Sequence, residues 1–185
     1  MALETGDLTH LETAMQALDR AAELLDHLQT LAREEKETLD PEPTDLRTVT
    51  EAAWCVVETD GAELGVEGDT TIVADRSRFQ ELLENLFTNA VAHVGTDVTV
   101  RVGPLEDGGF YVADDGPGIA EDDRDDVFEM GYSTSPDGMG FGLAICEQIA
   151  NAHGWVIEVD SGSDGGARFE ISAVDRCNGV SPDSV

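Results

Sequence analysis

The sequence predicts an α/β fold, in the narrower sense an α+β two-layer sandwich. In this fold a mixed sheet is covered on one face by three helices and is preceded by a long helix. Three observations support it. Helical and extended segments alternate from about residue 44 to residue 173, as in domains built from a helix layer on a sheet. The segment 77–92 has a strong helical period, and the last two extended segments are spaced like the strands of a hairpin.

The N-terminal segment 8–32 is predicted to form one amphipathic helix. Its apolar side chains recur three and four positions apart, at Leu8, Leu11, Met15, Leu18, Ala22, Leu25, Leu28 and Leu31. This period is typical of a coiled coil or a helical hairpin. A single helix cannot bury such a seam, so it pairs with another helix, from the same protein or a second copy, or docks on the following domain.

Pro41 and Pro43 are predicted to end this helical region, because two prolines stop a helix and stiffen a linker. We therefore divide the chain into three parts. Residues 1–40 hold the helix and its linker, residues 41–175 form the globular domain, and residues 176–185 are predicted to be a disordered tail.

The first half of the globular domain begins with a helix that Asp45 is placed to cap and that runs to about residue 57. Two short strands, 62–66 and 70–74, are predicted to pair as a hairpin around Gly68-Asp69. The helix at 77–92 follows. Its predicted buried face consists of Phe79, Leu82, Leu83, Leu86, Phe87 and Ala90.

The second half contains two strands, 97–102 and 110–113, and then a long loop rich in Gly, Asp and Ser at 115–139. A loop of this length in a compact domain is usually a lid or a binding element. A helix at 143–152 follows the loop. The strands 155–159 and 167–172 then close the sheet as a hairpin.

The chain is strongly acidic, with 40 Asp and Glu against 10 Lys and Arg and a net charge of −30 at pH 7. Such a surface repels nucleic-acid phosphates and anionic lipid, so we expect no nucleic-acid partner and no direct membrane contact. The acids are spread along the whole chain, which favours a halophilic protein from a high-salt cytoplasm, where screening relieves their repulsion.

The cysteines also favour a cytoplasmic location. Cys55, Cys146 and Cys177 are odd in number and far apart, with no CxxC pair. This argues against a disulfide framework or a zinc site. The sequence contains no run of 18 apolar residues and no basic-then-apolar leader.

Three polar clusters carry the chemistry, and the first is a pair of asparagines. Asn85 and Asn89 lie one turn apart in the predicted helix, so their carboxamides share a face. A carboxamide oxygen can ligate Mg²⁺, and the nitrogen can donate to a phosphate. Both groups could instead bond to backbone as caps or buried amides.

The second cluster is Asp114 with Gly116, Gly118 and Ile119, directly after a predicted strand. The glycines let the backbone approach a ligand, and a carboxylate there can accept from an exocyclic amine such as that of adenine. The alternative is an ordinary Asp-Gly turn.

The third cluster is Gly138, Gly140 and Gly142 with Leu143, directly before a helix. Alternate glycines allow successive N–H groups to point one way, and the helix N-terminus behind them completes a phosphate cradle. The spacing is neither GxGxxG nor a P-loop, whose lysine is missing. The alternative is a flexible hinge.

In this order the clusters resemble the ATP-binding domain of sensor histidine kinases, and more widely the ATPase superfamily shared by gyrase, mismatch-repair and heat-shock chaperone proteins. The resemblance covers about residues 44–173. The matching residues are Asn85 and Asn89 for the N box, Asp114-x-Gly116-x-Gly118 for the G1 box, Phe128 within 127–132 for the F box, and Gly138-x-Gly140-x-Gly142-Leu143 for the G2 box.

The resemblance implies that ATP and Mg²⁺ are the cofactors. It implies that Asn89 ligates Mg²⁺, that Asp114 binds adenine, that Ile119 lines the adenine pocket and that the G2 glycines meet the phosphates. It also implies that the F box opens a lid at about 117–139. The basic residue usual three positions after the second Asn is Ala92 here, and the neighbouring His93 could take its place.

The residue one turn before Asn89 indicates which branch of the superfamily the chain resembles. The hydrolysing relatives carry a general-base Glu there. Here that position is Asn85, and Glu84 is rotated by about 100° around a 3.6-residue helix. Attack by water should therefore be slow. Histidine kinases take their nucleophile from a dimerisation hairpin instead, and the helix at 8–32 resembles its second helix. The motif His-Glu-x-x-Thr or Asn-Pro is absent, and His10 lacks the adjacent acid.

We therefore interpret the sequence as the ATP-binding catalytic region of a haloarchaeal-type two-component sensor kinase. The whole protein would transfer the ATP γ-phosphoryl to a histidine that this chain lacks, for relay to an aspartate of a response-regulator receiver domain, and would form a homodimer through its N-terminal helix. No catalytic residue is assigned within this chain. An anti-sigma-type serine kinase and a non-catalytic nucleotide-binding scaffold are the alternatives.

Overall fold

A computed structural model describes residues 38–57, 59, 61–95, 97–133, 140–162, 165–172 and 174. All of these residues except Thr38 belong to one compact unit, which begins at Leu39. The predicted helix at 8–32 and the predicted tail at 176–185 lie outside the described residues, as do His10, Cys177 and Gly138 of the third cluster. None of the helices within the described ranges is both long and apolar enough to span a bilayer.

Seven strands and three α-helices make up the described part of the domain. They are β1 (Glu42–Asp45), α1 (Leu46–Trp54), β2 (Glu63–Val66), β3 (Thr71–Ala74), α2 (Arg76–Val94), β4 (Thr99–Pro104), β5 (Phe110–Asp114), α3 (Gly142–His153), β6 (Val156–Ser161) and β7 (Ala167–Ser172), with a 3₁₀ turn at Glu121–Asp123. Five strands form a mixed sheet of order β2-β4-β5-β7-β6, in which β2 and β4 are parallel and the other neighbours antiparallel. The predicted two-layer α/β sandwich is confirmed.

The predicted hairpin around Gly68-Asp69 is wrong. β2 pairs in parallel with β4, while β3 pairs antiparallel with β1 in a separate two-stranded sheet. Arg47 holds the connection between β2 and β3 as a corner, since its guanidinium donates to the carbonyls of Val66 and Gly68 and to Asp69. The segment around Pro43, predicted as linker, is strand β1. Proline is tolerated there because an edge strand leaves N–H positions unpaired.

Aspartates at the N-caps fix where the first two helices begin. Asp45 accepts the Thr48 N–H at 2.8 Å, which confirms the predicted cap of α1. Asp75 accepts from the N–H groups of Ser77 and Arg78 at the start of α2, and its second oxygen accepts the Asp40 N–H at 3.2 Å. The chain entering the domain is thus anchored to the first turn of α2.

The core lies between the helices and the sheet. The six predicted core residues of α2 are all buried. Phe79 packs against Phe110 and Trp155, with ring centroids 5.1 and 5.8 Å apart. Because side chains alternate along a strand, Asp114 shares a face of β5 with the buried Phe110 and Val112. The strand therefore delivers its last carboxylate to the helical side of the sheet.

His153 joins the end of α3 to the start of α2. Its Nε2 accepts the Asp75 N–H at 3.0 Å, and its Nδ1 lies 2.8 Å from the Ile149 carbonyl. A neutral ring protonated on Nδ1 satisfies both contacts, whereas protonation of Nε2 removes its acceptor. The ring also stacks on Trp155, with the centroids 4.2 Å apart. Burial lowers the pKa of His153 below its ordinary value of 6.5.

We expect this histidine to make the fold sensitive to acid. Because its pKa is lower in the folded than in the unfolded chain, its contribution to stability is complete above about pH 6.5 and is lost as pH falls through the folded-state pKa. In His153→Gln the acid-side slope of the unfolding free energy should be shallower, and stability at neutral pH should fall by about 1 kcal/mol. Urea unfolding at fixed KCl measures both quantities. Asn151→Gln, at an exposed position of α3, is the control and should keep the wild-type slope, while an unchanged slope in His153→Gln would contradict the assignment.

Candidate nucleotide-binding site

The described members of the three predicted clusters lie around one side of α2. The loop after β5 packs on the end of this helix, since a Cβ added to Gly116 would overlap the Val94 side chain. The start of α3 packs on its middle, where a Cβ added to Gly142 would lie 3.5 Å from Asn85 Oδ1. The fold thus brings together residues that are far apart in the sequence.

Asp114 is held in one orientation by backbone donors. Its Oδ1 accepts the N–H groups of Gly116 at 2.9 Å and Ala167 at 3.2 Å. Its Oδ2 makes no hydrogen bond with the described residues. Burial raises the pKa of Asp114 above the ordinary range, and the two backbone donors oppose this shift by favouring the ionised form. The arrangement leaves one fixed acceptor oxygen available to a ligand.

The glycines of the second cluster serve the packing of the loop. Gly118 has φ +74°, and a Cβ there would lie 2.8 Å from the Gly165 carbonyl in the turn between β6 and β7. Gly116 is wedged against Val94. The neighbouring Ile119 is partly buried against the core. Close approach to a ligand was the reason predicted for these glycines, and the structure adds that the loop needs them to pack on α2 and on this turn.

The N-terminus of α3 has no side-chain cap among the described residues. Its N-cap is Phe141, which makes no side-chain capping bond. The first N–H groups, at Gly142 and Leu143, therefore have no carboxylate acceptor of the kind that Asp45 and Asp75 supply to the other two helices. A helix end of this kind, with its positive dipole end, suits an anion such as a phosphate.

The two asparagines of α2 differ in their surroundings. Asn85 Nδ2 donates to the Glu81 carbonyl at 2.8 Å, which turns Oδ1 toward Gly142. Asn85 thus fits the alternative of an amide bonded to backbone, at a position beside the α3 N-terminus. Asn89 is partly buried, and its carboxamide makes no hydrogen bond with the described residues. It is therefore the one of the pair that is open to a ligand.

Glu84 is turned to another partner. Its Oε1 accepts from Gln80 Nε2 at 2.8 Å on the same helix. The position one turn before Asn89 is held by Asn85, as the sequence indicated. No carboxylate from α2 therefore stands where the hydrolysing relatives are expected to carry their base.

The segment after Gly118 is more ordered than a structureless loop. It contains a 3₁₀ turn and buries Val127, while Phe128 packs partly against the core. The Gly131 N–H donates to the Gly140 carbonyl at 3.0 Å, which joins the described residues on either side of 134–139. A Cβ at Gly140 would overlap the Tyr132 carbonyl, so the two stems are in contact. This placement fits the F box at the base of a lid.

Two features of the site escaped the sequence interpretation. One is the backbone N–H of Ala167, which carries no residue-type signal. The other is the turn between β6 and β7, where Gly162 N–H donates to the Gly166 carbonyl at 2.7 Å and the chain packs against the Asp114 backbone. The glycines at 162, 165 and 166 were a usable signal for a close approach of backbone to backbone.

A small cavity lies on the outer face of the sheet and extends to the end of β5. It has a volume of about 140 Å³, and its lining includes Thr99, Arg101, Tyr111, Arg168, Asp114, Asp115 and Gly162. The Arg168 guanidinium lies 3.7 Å from the centre of the Tyr111 ring. This volume is below the roughly 300–1,000 Å³ of ordinary small-molecule pockets, so we do not assign the whole nucleotide to it.

A fixed carboxylate, an open carboxamide and an uncapped helix end on one side of a helix–sheet sandwich define a nucleotide-binding domain. Comparison with known proteins agrees: residues 74–176 match the family described as histidine kinase-, DNA gyrase B-, and HSP90-like ATPase. The match spans more than half of the chain. The chain belongs to this family.

Relatives of the chain include sensor kinases. The C4-dicarboxylate transport sensor protein DctB of Rhizobium meliloti is 32% identical over 168 residues, which cover 84% of this chain and 27% of DctB. The sensor histidine kinase ZraS of Salmonella typhimurium is 38% identical over 104 residues, which cover 54% of this chain and 22% of ZraS. The chain thus spans about a quarter of the length of the curated relatives it matches.

Solved structures give the same result. The mycobacterial sensor histidine kinase MprB superposes with a TM-score of 0.63 at 27% identity, covering 71% of this chain and 95% of the MprB chain. Full-length ShkA, crystallised in complex with AMPPNP, superposes with a TM-score of 0.69 at 29% identity. The match covers 96% of this chain and 40% of the ShkA chain. The predicted resemblance to sensor histidine kinases is confirmed, and this region is an ATP-binding catalytic domain of their type.

Proposed function

We propose that the domain binds Mg-ATP beside α2, with the adenine at Asp114 and the phosphates at the N-terminus of α3. The observation that carries the proposal is the Asp114 carboxylate, whose Oδ1 is fixed by two backbone N–H groups while Oδ2 is open. A partly buried acceptor in one orientation suits the exocyclic amine of adenine and disfavours the carbonyl of guanine. Ile119, packed beside this loop, would supply an apolar wall.

Asn89 is proposed as the protein ligand of Mg²⁺. Its carboxamide is uncommitted, and no group of three or more His, Cys, Asp or Glu side chains able to hold a metal occurs among the described residues. Magnesium commonly keeps several waters and is held by few protein oxygens together with substrate phosphates. One carboxamide near a phosphate cradle fits that pattern. When bound, the ion would neutralise charge on the β- and γ-phosphates.

We infer that the full-length protein is a histidine kinase that transfers the γ-phosphoryl to a histidine, for relay to an aspartate of a response-regulator receiver domain. Within this chain, the α3 N-terminus would orient the phosphates, with Gly140 and Gly142 keeping the backbone accessible and the predicted Gly138 extending the cradle. Phe128 would anchor the lid that excludes water. Since Asn85 stands at the position of a hydrolytic base, the domain favours an external nucleophile over water.

The rest of the proposed organisation rests on the sequence. The domain boundaries at 1–40, 41–175 and 176–185, a homodimer through the helix at 8–32 and a high-salt cytoplasm remain proposals. So does the absence of nucleic-acid and membrane contacts, which the charge of −30 supports. The sensor-kinase relatives support the response-regulator partner.

A serine kinase and a regulatory scaffold are alternatives that would use the same nucleotide site. A phosphorylation experiment distinguishes them from a histidine kinase by the residue that becomes labelled. With γ-labelled Mg-ATP and a helical hairpin bearing His-Glu-x-x-Thr-Pro added in trans, a histidine kinase gives an acid-labile, base-stable label. An anti-sigma-type serine kinase gives an acid-stable label on a protein substrate. A regulatory scaffold binds ATP and labels neither.

The binding proposal predicts that Mg²⁺ strengthens ATP binding through Asn89. In Asn89→Ala we expect Mg-ATP affinity to fall about 10- to 100-fold, since a charge-assisted contact is lost. ATP affinity measured in EDTA should be nearly unchanged. Isothermal titration calorimetry in molar KCl measures both values.

The matched control is Asn151→Ala, an exposed asparagine on α3, which should bind Mg-ATP as the wild type does. Wild-type protein that binds ATP equally with Mg²⁺ and with EDTA would exclude the metal assignment. Wild-type protein that binds no ATP at all would exclude the proposed function.

A further inference from the structure

Arg124 connects two segments that lie 36 residues apart in the sequence. Its guanidinium donates through one NH₂ group to Asp160 Oδ1 at 2.6 Å and through the other to Ser161 Oγ at 2.7 Å. Arg124 lies directly after the 3₁₀ turn that leads into the F box, and the two acceptors end strand β6. The side chain thus ties the base of the predicted lid to the turn between β6 and β7.

The described residues of that turn are hydrogen-bonded to each other and lead to the Asp114 carboxylate. The Gly162 N–H donates to the Gly166 carbonyl at 2.7 Å, and the next residue, Ala167, donates its N–H to Asp114 Oδ1 at 3.2 Å. Gly166 leaves no room for a Cβ against the Asp114 backbone. Ser161, which accepts from Arg124, is also the strand partner of Ala167, so the Arg124 contact bears on one of the two donors that orient Asp114.

Stability alone does not account for this arginine. Its side chain is 23% exposed and Asp160 is 70% exposed, and ion pairs in such settings contribute little. The Arg124 Nε–H is buried and has no hydrogen-bond partner among the described residues, which costs stability. The ion pair adds little stability, and the Nε–H has no partner among the described residues. We therefore explain Arg124 by the two segments that it holds together.

We propose that Arg124 is a positioning residue for adenine recognition, acting through the β6–β7 turn on the orientation of Asp114. The inference rests on the proposed function, since it presumes that Asp114 receives the adenine amine. The guanidinium does not touch the nucleotide in this account. It keeps the turn seated so that the Ala167 N–H remains within reach of Oδ1. It also joins the turn to the segment that begins the lid.

The test compares ATP with inosine triphosphate, which carries a carbonyl where adenine carries its amine. In Arg124→Gln we expect ATP affinity to fall about tenfold, as when a binding group is misplaced, with inosine triphosphate affinity unchanged. Arg124→Lys should recover part of the loss because lysine can keep one of the two contacts. In the double variant with Asp114→Asn, Arg124→Gln should cause no further loss, since both act on one contact.

Arg47→Gln is the matched control, because the Arg47 guanidinium also holds a connection between strands, at the β2–β3 corner, through a carboxylate and two carbonyls. This variant should leave the ratio of the ATP affinity to the inosine triphosphate affinity at the wild-type value. Asp160→Asn, at an exposed position, is a second test variant in case Arg124→Gln does not fold. It should lower the same ratio of affinities.

The outcomes separate the two proposals. If the wild type binds ATP but the Arg124 and Asp160 variants keep its ratio of ATP affinity to inosine triphosphate affinity, the inference is overturned and the proposed function stands. Equal losses for both nucleotides would show a general structural role and also overturn it. Absence of ATP binding in the wild type would overturn both.

Discussion

Replacement of Asp114 by asparagine is expected to weaken ATP binding about 10- to 100-fold while GTP binding changes little, because a charged acceptor facing an amine is worth roughly 1.5–3 kcal/mol. The amide would also place a possible donor opposite the adenine amine. Its oxygen could still accept from Gly116 and Ala167, so the loop should keep its shape. Calorimetric titration with both nucleotides measures the change in preference.

The adjacent Asp115→Asn is the control for this experiment. Asp115 Oδ1 accepts the Thr99 N–H at 2.9 Å, a contact with strand β4. We expect this variant to retain the wild-type preference for ATP. Equal ATP and GTP affinity in the wild-type protein would refute the adenine assignment of Asp114.

Gly140→Ala is expected to disrupt the nucleotide site far more than Gly131→Ala, although both glycines have positive φ, +71° and +84°. A methyl group at Gly140 would overlap the backbone of Gly131 and Tyr132, whereas at Gly131 nothing lies within 4 Å. Gly131→Ala should therefore cost only the left-handed penalty of about 1–2 kcal/mol. Gly140→Ala adds an overlap worth about 1–3 kcal/mol and breaks the bond that closes the loop.

The two variants separate backbone strain from steric contact. We expect ATP affinity to fall at least about 100-fold in Gly140→Ala, since the stems of the lid and the phosphate cradle both shift. In Gly131→Ala the loss should be less than about tenfold. Hydrogen exchange should show faster exchange at Gly131 N–H in Gly140→Ala only. Equal losses in the two variants would mean that the contact between the stems has no functional role.

Local signals in the sequence were sufficient where the structure depends on neighbours along the chain. Asp45 caps its helix as predicted, the apolar face of α2 is buried, and the alternation along β5 places Asp114 on the helical side. The partner of β3 was not predictable in the same way. Gly68-Asp69 has the composition of a hairpin turn, but whether β3 pairs with β2 or β1 depends on β4, which competes for the edge of β2 through contacts distant in sequence.

The site shows the same division. Motif order predicted roles for Asn89, Asp114 and the glycines because each is a residue type with an expected role at a fixed spacing. The Ala167 N–H and the Arg124 contacts were not found, because a backbone donor has no side-chain signature and an arginine gives no sign of a partner 36 residues away. The resemblance gave Asn85 and Asn89 different roles, but it did not predict which carboxamide is bonded. Asn85 donates to the Glu81 carbonyl of its own helix, whereas Asn89 makes no such bond with the described residues.

The uncapped N-terminus of α3 bears on how so acidic a protein can hold a triphosphate. At the phosphate site that we propose, attraction would come from peptide N–H groups, whose partial charges are the same whatever side chains surround them. If the protein works in concentrated salt, as we propose, its surface could exchange lysines for carboxylates without removing the donors that a polyanion needs. A site that relied on a cluster of lysines would be lost under the same selection. Main-chain recognition lets the surface composition and the ligand chemistry evolve independently.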